Sequence, residues 1–216
     1  YLKRYGFNMD FAPDADVNTN PQNPIIGERA FSSDANVAAE MAAAMAEGLR
    51  QNGVIPVFKH FPGHGDTAED SHNSCAISYK TAEEMAGCEW LPFMGAAETD
   101  GVMVGHIAAP NVTGDMTPAS LSHTMVTEIL KEELGFQGLV ITDSLAMNAV
   151  TEDLSPGEAA VRAIEAGCDM ILMPNGLSEA YQGILDAVAE GRLSEARIDE
   201  SAAKILEVKI ACGIIK

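Results

Sequence analysis

The stretch VIPVFKHFPGHGDTAEDSH, residues 54–72, decides the fold of this chain, because an apolar run gives way at once to titratable side chains. Three histidines, three acidic residues and a lysine follow the apolar residues, with Gly63 and Gly65 among them. A continuous apolar run is typical of a buried strand in a parallel sheet, although Pro56 weakens that prediction. Polar and titratable side chains directly after such a run indicate a strand whose carboxyl end lies at an active site.

Apolar runs and helix-forming segments alternate along the whole chain. The runs that predict strands are FNMDFAP (7–13), VIPVFKH (54–60), GVMVGHI (101–107), GLVITDSLAM (138–147) and CDMILMP (168–174). The segments that predict helices are residues 32–53, 81–100 with an interruption near Pro92, 120–136, 155–167, 177–193 and 194–213. About five strands, each followed by at least one helix, indicate an α/β fold, either a doubly wound sheet or a (β/α) barrel.

The polar residues after the predicted strands favour the barrel. They are Asp14 and Asp16, then Lys59 and His60, then His106, then Asp143, then Asn175. Polar groups at the carboxyl ends of successive strands are how a (β/α) barrel builds its active site. The glycine-rich motifs that bind dinucleotides or nucleoside triphosphates do not occur in the sequence.

Composition bounds the size of the domain and its partners. The 216 residues are 47% hydrophobic, which suits one domain over residues 1–216, and the formal net charge is −19. Such a surface repels nucleic acid and anionic membranes, and no segment approaches the ~20 apolar residues of a membrane span, so neither partner is predicted. The four cysteines, Cys75, Cys88, Cys168 and Cys212, form no C-x-x-C pair and are predicted to be small buried thiols.

Several of these segments together resemble one known family. KHFPGHGDTAEDSH, GVMVGHI and GLVITDSLAM, in this order, are similar to the motifs of family-3 glycoside hydrolases, and the D-x-H loop is similar to that of the β-N-acetylhexosaminidase branch. FAPDADVNTNPQNPIIGERAFSSD (11–34) and AAVRAIEAGCDMILMP (159–174) resemble the same family's arginine loop and late strand. The resemblance implies that residues 1–216 form a single catalytic domain with the TIM-type (β/α) barrel fold.

The resemblance also implies that this barrel is partial. Family members carry roughly three more βα units before the point where this chain begins, including an acidic strand end that grips the sugar, and five strands cannot close an eight-stranded barrel. We therefore expect an open sheet whose exposed edges favour self-association. The alternative from another functional class is a catalytically inactive fragment that only binds or assembles.

The resemblance assigns the two catalytic roles of a retaining glycosidase. Asp143 becomes the nucleophile that forms a glycosyl-enzyme intermediate, although an aspartate at this position also suits a helix N-cap. His72 becomes the acid/base and is held by Asp70, with a solvated loop histidine as the alternative. The chemistry is reasonable, because a neighbouring carboxylate orients an imidazole and supports its protonated form, which can donate to the departing oxygen.

Sugar binding is assigned by the same resemblance to Arg29, Lys59 and His60, with Asp16 behind them. Cationic donors and an imidazole at strand ends suit a pocket crowded with hydroxyls. The alternatives are ion pairs for Arg29 and Lys59 and a hydrogen-bonded core histidine for His60. Asp14 departs from the family, in which this position is usually apolar, so it could perturb the pocket.

No metal or other cofactor is predicted. The competing interpretation is a metal-dependent hydrolase, since His60 and His64 are four residues apart with Asp66, Asp70 and His72 nearby. Such a histidine pair needs a helix to share one face, however, and Pro62 and Gly63 break any helix there. His64 is therefore assigned to loop structure, and the role of His106 is left open.

The activity implied by the resemblance is that of a retaining exo-β-N-acetylglucosaminidase with a small carbohydrate substrate. Analogy suggests N-acetylglucosamine bonds of muropeptides, and hence cell-wall recycling, or chitin oligomers. The compartment is left open between the cytoplasm and a cell-envelope or secreted location. Phosphate as the acceptor in place of water, or another family-3 β-glycosidase activity, is the alternative. A histidine acid/base tolerates an anionic acceptor better than a carboxylate does.

Overall fold

The computed structural model describes residues 1–68 and 75–215, and this part of the chain contains six short strands. They are β1 (Met9–Asp10), β2 (Ile55–Phe61), β3 (Ala76–Ile77), β4 (Gly101–Val104), β5 (Ile107–Ala108) and β6 (Leu139–Thr142). Strands β1, β2, β4 and β6 form one parallel sheet in that order, and β3 and β5 form a separate parallel pair. A parallel bridge between Ile141 and Met170 adds a fifth strand position beside β6. The five strands predicted from the apolar runs are therefore confirmed.

Helices follow the strands as an α/β fold requires. They are α1 (Ala35–Gln51), α2 (Ala82–Ala86), α3 (Pro110–Thr113), α4 (Asn148–Thr151), α5 (Pro156–Ala166), α6 (Leu177–Ala189) and α7 (Glu195–Ala211), together with a π-type helix (Thr124–Glu133) and 3-10 turns at Leu2–Tyr5, Gly27–Arg29, Leu91–Gly95 and Ala119–Leu121.

The starts of the helices have local causes in the sequence. The Asp34 side chain caps α1 by accepting from two backbone N–H groups of its first turn. Thr81 and Glu84 form a capping box at α2, and Ser155 caps α5 ahead of Pro156. These side chains satisfy N–H groups that the helices themselves leave unpaired.

Two predicted helices differ from the observed ones. The segment 81–100 divides into α2 and the 3-10 turn that contains Pro92, as its predicted interruption requires. The segment 120–136 was predicted to start at its serine, but its regular helix begins at Thr124. Ser120 lies in a 3-10 turn, and the Ser122 hydroxyl accepts from the N–H of Met125 instead.

Both faces of the sheet are buried. Val102, Val104 and Val140 belong to a large core with Phe58 and Trp90, on the side packed by α1, α5 and the π-type helix. The intervening residues of the same strands form a second cluster, which includes Val57, Met103, Leu139, Ile141 and Val208 of α7. This arrangement explains why the strands read as continuous apolar runs and not as alternating ones.

All four cysteines are predicted to be buried thiols, but only Cys168 is buried. Cys75, Cys88 and Cys212 are half-buried, because they lie directly before β3, after α2 and at the end of α7, outside the main sheet. Their predicted burial was wrong. No helix among residues 1–68 and 75–215 is both long enough and apolar enough to cross a membrane.

Candidate active site

The carboxyl ends of β1 and β2 are joined by the carboxylate of Asp16. This side chain is fully buried and accepts three hydrogen bonds, from His60 N at 3.2 Å, from His60 Nδ1 at 2.8 Å and from His64 N at 2.6 Å. Burial alone would raise the pKa of Asp16, but the charge and hydrogen bonds of His60, with the His64 N–H, lower it below its ordinary value. Asp16 is therefore an internal anion that anchors both histidines.

His60 connects this anion to the surface of the site. The pairing of β2 with β4 shifts register between Lys59 and Phe61, and a shift of this kind turns the intervening side chain away from the regular pleat. His60 Nδ1 donates to Asp16, and Nε2 lies 3.4 Å from Arg29 Nη2, from which the neutral ring can accept. Burial opposes the charge on His60, but Asp16 and the neighbouring carboxylates Asp143 and Asp14 raise its pKa overall.

His64 is bound on the other side of Asp16 and belongs to the loop, in agreement with its sequence assignment. Its Nδ1 lies 2.8 Å from Thr67 Oγ1, and its carbonyl accepts from Asn23 Nδ2 at 2.8 Å. Burial lowers the pKa of His64. Gly65 is required here, because a Cβ at this position would lie 2.0 Å from the carbonyl oxygen of Val17.

Arg29 lies at the open side of this cluster. Its Nη2 is 3.1 Å from Asp14 Oδ2, and its side chain is 41% exposed whereas that of Asp14 is 9% exposed. Burial and the nearby charge of Asp16 raise the pKa of Asp14 to about 7, although His60 and Arg29 oppose the shift. Asp14, which the sequence marks only as a departure, is thus a direct partner of a predicted sugar ligand.

Lys59 is held at the same place through its backbone. Its N–H donates to Pro13 O at 3.2 Å, and its carbonyl accepts from Ala15 N at 2.6 Å, so β1 continues beside β2 as far as Asp14. The side chain is half-buried. Lys59 therefore lies within β2, paired with Asp14 and next to His60.

Asp143 follows β6 at the same end of the sheet. Its N–H donates to Val104 O at 2.8 Å, and its Oδ1 accepts from Ser144 N at 2.7 Å. The half-buried carboxylate is near enough for its charge to act on both His60 and His64. The structure thus brings Asp16, Arg29, Lys59, His60 and Asp143 to one end of one sheet.

The chain matches the model of the Glycosyl hydrolase family 3 N terminal domain over residues 2–208. The chain belongs to glycosyl hydrolase family 3. It is 33% identical over 230 residues to Beta-hexosaminidase A of Pseudoalteromonas piscicida, an alignment that covers 96% of this chain and 38% of that protein. A glycoside hydrolase family 3 beta-N-acetylglucosaminidase from Paenibacillus sp. str. FPU-7 has a TM-score of 0.95 and 38% identity, over 99% of this chain and 41% of that one. Beta-glucoside phosphorylase BglX has a TM-score of 0.90 and 30% identity, over 96% of this chain and 39% of that one.

The family 3 chain spans less than half the length of each of these three proteins. The structural match over nearly all of its residues confirms the predicted fold, a partial (β/α) barrel of TIM type. Within the described residues, β1 and the Met170 position form the two edges of the main sheet.

Two predicted residues of the family 3 chain, Asp70 and His72, lie outside the described residues. The chain on both sides of them is tied together by Asp66. Its carboxylate accepts from Thr19 Oγ1 at 3.2 Å and from Ser78 Oγ at 3.3 Å, and it lies 3.4 Å from Lys80 Nζ. From the sequence, Asp66 is only an acidic residue near His60 and His64, because its partners lie far from it in the chain.

The remaining strand-end residues differ in their surroundings. His106 is fully buried with both ring nitrogens near oxygen atoms, whereas Asn175 is exposed. His106 therefore belongs to the interior beneath the site, a placement that its position after an apolar run did not distinguish from a binding role.

The donor set Asp14, Asp16 and His60 could in principle hold a metal ion, since one ligand atom from each lies within 4.8 Å of the others. Arg29 already contacts two of the three, Asp14 and His60, and its guanidinium supplies the positive charge that a metal would bring. Asp16 uses both carboxylate oxygens to hold the histidines. The donor atoms of this set are therefore already engaged by Arg29 and the two histidines, and the set fits a metal ion poorly.

Proposed function

We propose that this chain carries the catalytic carboxylate and the sugar ligands of a retaining exo-β-N-acetylglucosaminidase. The observation that carries the proposal is the convergence of Asp143 with the Arg29–His60–Asp16 cluster at the carboxyl end of one parallel sheet. The beta-hexosaminidase and beta-N-acetylglucosaminidase names of its relatives support a glycosidase that acts on N-acetylhexosaminides.

In this proposal Asp143 attacks the anomeric carbon and forms a covalent glycosyl-enzyme intermediate. A carboxylate can do so without prior deprotonation, and water then releases the sugar with its original β configuration. The N–H of Ser144 holds Oδ1 of Asp143 at 2.7 Å. The carboxylate is thereby oriented before the substrate arrives, which removes part of the entropic cost of reaction.

His72 and Asp70 are proposed as the acid/base and its partner. The protonated imidazole donates to the departing oxygen in the first step, and the neutral ring accepts a proton from water in the second. The Asp66 contacts with Thr19, Ser78 and Lys80 support this assignment, because they bind the chain before and after these residues to the rest of the domain.

Arg29, Lys59 and His60 are proposed to hold the sugar hydroxyls, with Asp16 as the buried support of His60. Arg29 can donate to a hydroxyl because its side chain remains 41% exposed despite its contact with Asp14. Residues 1–216 are proposed to act as one catalytic domain. Terminal N-acetylglucosamine of cell-wall fragments is the proposed substrate, and self-association through the open sheet edges is the proposed assembly.

Phosphorolysis is the second candidate function, and the likeness to Beta-glucoside phosphorylase BglX favours it. The two functions share the glycosyl-enzyme step and differ only in whether water or phosphate attacks the intermediate. The third hypothesis is a catalytically inactive chain that only binds a ligand or assembles with other chains.

The deciding experiment is turnover of an aryl N-acetyl-β-glucosaminide with and without phosphate, with the product anomer followed by NMR. The hydrolase predicts free β-N-acetylglucosamine at a rate that phosphate leaves unchanged. Phosphorolysis predicts N-acetylglucosamine 1-phosphate, and its formation would replace the hydrolase proposal. An α-configured sugar as first product would exclude retention, and absence of turnover in the complete protein would support the inactive reading.

A further inference from the structure

His106 is enclosed by two serines at the carboxyl end of β4. The residue is fully buried, its Nδ1 lies 2.7 Å from Ser120 Oγ, and its Nε2 lies 2.8 Å from the carbonyl oxygen of Ser144. The hydrogen bond to Ser144 joins the end of β4 to the residue that directly follows Asp143.

These two contacts determine which ring nitrogen carries the proton. A carbonyl oxygen can only accept, so His106 Nε2 must donate to Ser144 O. In the neutral ring Nδ1 then accepts from the Ser120 hydroxyl. Ser120 is itself fully buried, and its N–H donates to Gly105 O at 3.2 Å. The serine that orients the His106 ring is therefore fixed to the residue that precedes His106.

Ser144 transmits this orientation to Asp143. The N–H of Asp143 is bound to Val104 O at 2.8 Å, and the carbonyl of Ser144 is bound to His106, so the dipeptide is held at both ends by the β4 segment. The peptide group between the two residues supplies the N–H that holds Asp143 Oδ1 at 2.7 Å. A carboxylate oxygen that accepts such a bond is less nucleophilic, so attack falls to Oδ2.

We propose that His106 is a positioning residue for this nucleophile: by holding the Ser144 carbonyl it sets the orientation of Asp143 and selects Oδ2 for attack. The inference rests on the proposed function, since it requires Asp143 to be the nucleophile. It separates His106 from the sugar ligands, because its two ring nitrogens face Ser120 and Ser144.

Two amide substitutions separate this role from simple burial. In His106→Gln the amide nitrogen is as many bonds from Cα as ring Nε2, so the donor to Ser144 O is retained. In His106→Asn the amide reaches only as far as Nδ1, so the contact with Ser120 is retained and the donor to Ser144 is lost. His123→Asn is the matched control, because the His123 side chain is 60% exposed.

The experiment measures kcat, KM and the unfolding midpoint of these variants in the complete protein, with an aryl N-acetyl-β-glucosaminide as substrate. We expect His106→Asn to lower kcat by about 10²-fold with KM nearly unchanged, because a misplacement of about 1 Å costs this much. His106→Gln should recover most of kcat. Ser120→Ala, which keeps the histidine but removes the partner of its Nδ1, should lower kcat by roughly 3- to 10-fold, the loss expected for one hydrogen bond.

The result that would overturn the inference is full kcat in His106→Asn or in Ser120→Ala, or equal losses in His106→Gln and His106→Asn, while Asp143→Asn remains inactive. If His106→Asn does not fold, Ser120→Ala and His106→Gln decide by the same criteria. Activity in Asp143→Asn would instead remove the proposed function itself, which keeps the two failures distinct.

Discussion

Buried carboxylates lie at both ends of the same parallel sheet, and their partners differ. At the amino ends of the strands, Asp100 precedes β4 and Asp169 precedes the fifth strand position. Asp100 contacts Arg50 of α1, and Asp169 lies within 3.7–3.8 Å of Lys131, Arg197 and Lys204. These partners are long cationic side chains that reach in from the surrounding helices.

At the carboxyl ends, by contrast, the acidic residues meet histidines, a half-exposed arginine and backbone N–H groups. Asp16 is bonded to His60, Asp14 lies beside Arg29, and Asp143 is held by the Ser144 N–H. The amino-end carboxylates lie in clusters with cations, whereas at the carboxyl end Arg29 and Asp143 stay partly exposed and can reach a ligand. In a (β/α) fold, side chains at the first end serve stability and side chains at the second serve binding and catalysis.

The largest expected effect is that of Asp143→Asn at the carboxyl end. The amide cannot form the covalent intermediate, so kcat should fall by at least about 10³-fold while the unfolding midpoint changes little. Steady-state kinetics and thermal unfolding of the same preparation check both parts. The control is Asp153→Asn, an exposed carboxylate that should leave kcat unchanged. Near-normal turnover in a folded Asp143→Asn variant would contradict the assignment of the carboxyl end of the sheet to catalysis.

Asp169→Asn should produce the reverse pattern at the amino end. Its side chain also accepts from Val140 N at 3.0 Å and from Ser201 Oγ at 2.9 Å, so loss of the charge leaves three cations around a neutral amide. We expect the free energy of unfolding to fall by about 3 kcal/mol, with kcat of the folded enzyme unchanged.

Urea unfolding measures this loss, and Glu165→Gln is its control. Glu165 pairs with Arg192 at 2.8 Å on the surface, where both side chains are more than a third exposed. An exposed pair of this kind contributes about 1 kcal/mol or less. Equal losses of unfolding free energy in Asp169→Asn and Glu165→Gln would mean that the buried Asp169 cluster stabilises the fold no more than an exposed ion pair does.

The sequence predicted the carboxyl end better than the amino end, for a physical reason. A buried strand has a local signal, a run of apolar residues, and whatever polar residue follows it must lie at its carboxyl end. Lys59, His60 and Asp143 could be predicted in this way. The partners of Asp169 come from residues 131, 197 and 204, and no local pattern connects them with that aspartate.

The contacts between side chains within the site could not be predicted from the sequence for the same reason. Asp14 and Arg29 were each singled out, but nothing in their spacing showed that they form a pair. The family resemblance supplied roles for His72 and Asp70, which remain predictions because both lie outside the described residues. The contacts of His106 with Ser120 and Ser144 depend on how three separate segments pack, which the pattern of one segment does not determine.

Asp100→Asn should destabilise the chain less than Asp169→Asn does. Burial raises the pKa of Asp100 even though the Ala97 N–H and Arg50 oppose that shift, so its charge is held less favourably than the contact with Arg50 suggests. An asparagine can still accept from Ala97 N, which donates to Asp100 Oδ2 at 2.7 Å. We expect a loss of about 1 kcal/mol in urea unfolding at pH 8. A loss as large as that of Asp169→Asn would show that the number of cationic partners does not decide the cost.

The effect of Asp14→Asn on stability tests the carboxyl end of the sheet by its own electrostatics. The pKa of Asp14 is raised to about 7 in the folded chain from an ordinary value of 3.8, chiefly by burial and by the charge of Asp16. Between these two values the folded chain binds a proton that the unfolded chain has released, so this carboxyl's contribution to stability falls as pH rises toward 7.

Asparagine does not titrate, and it loses only the ion pair with the half-exposed Arg29. The variant should therefore gain stability relative to the unsubstituted chain as pH rises from 5 to 8, by about 1 kcal/mol per pH unit up to pH 7, because the uncharged amide avoids the burial cost and the repulsion from Asp16 that the Asp14 charge meets. Urea unfolding of both proteins at pH 5 and pH 8 measures this difference. Subtracting the two free energies of unfolding at each pH removes the contribution of every titratable group that the two proteins share. A difference that stays constant with pH, or that turns against the variant at pH 8, would show that the folded chain holds Asp14 as a stable anion.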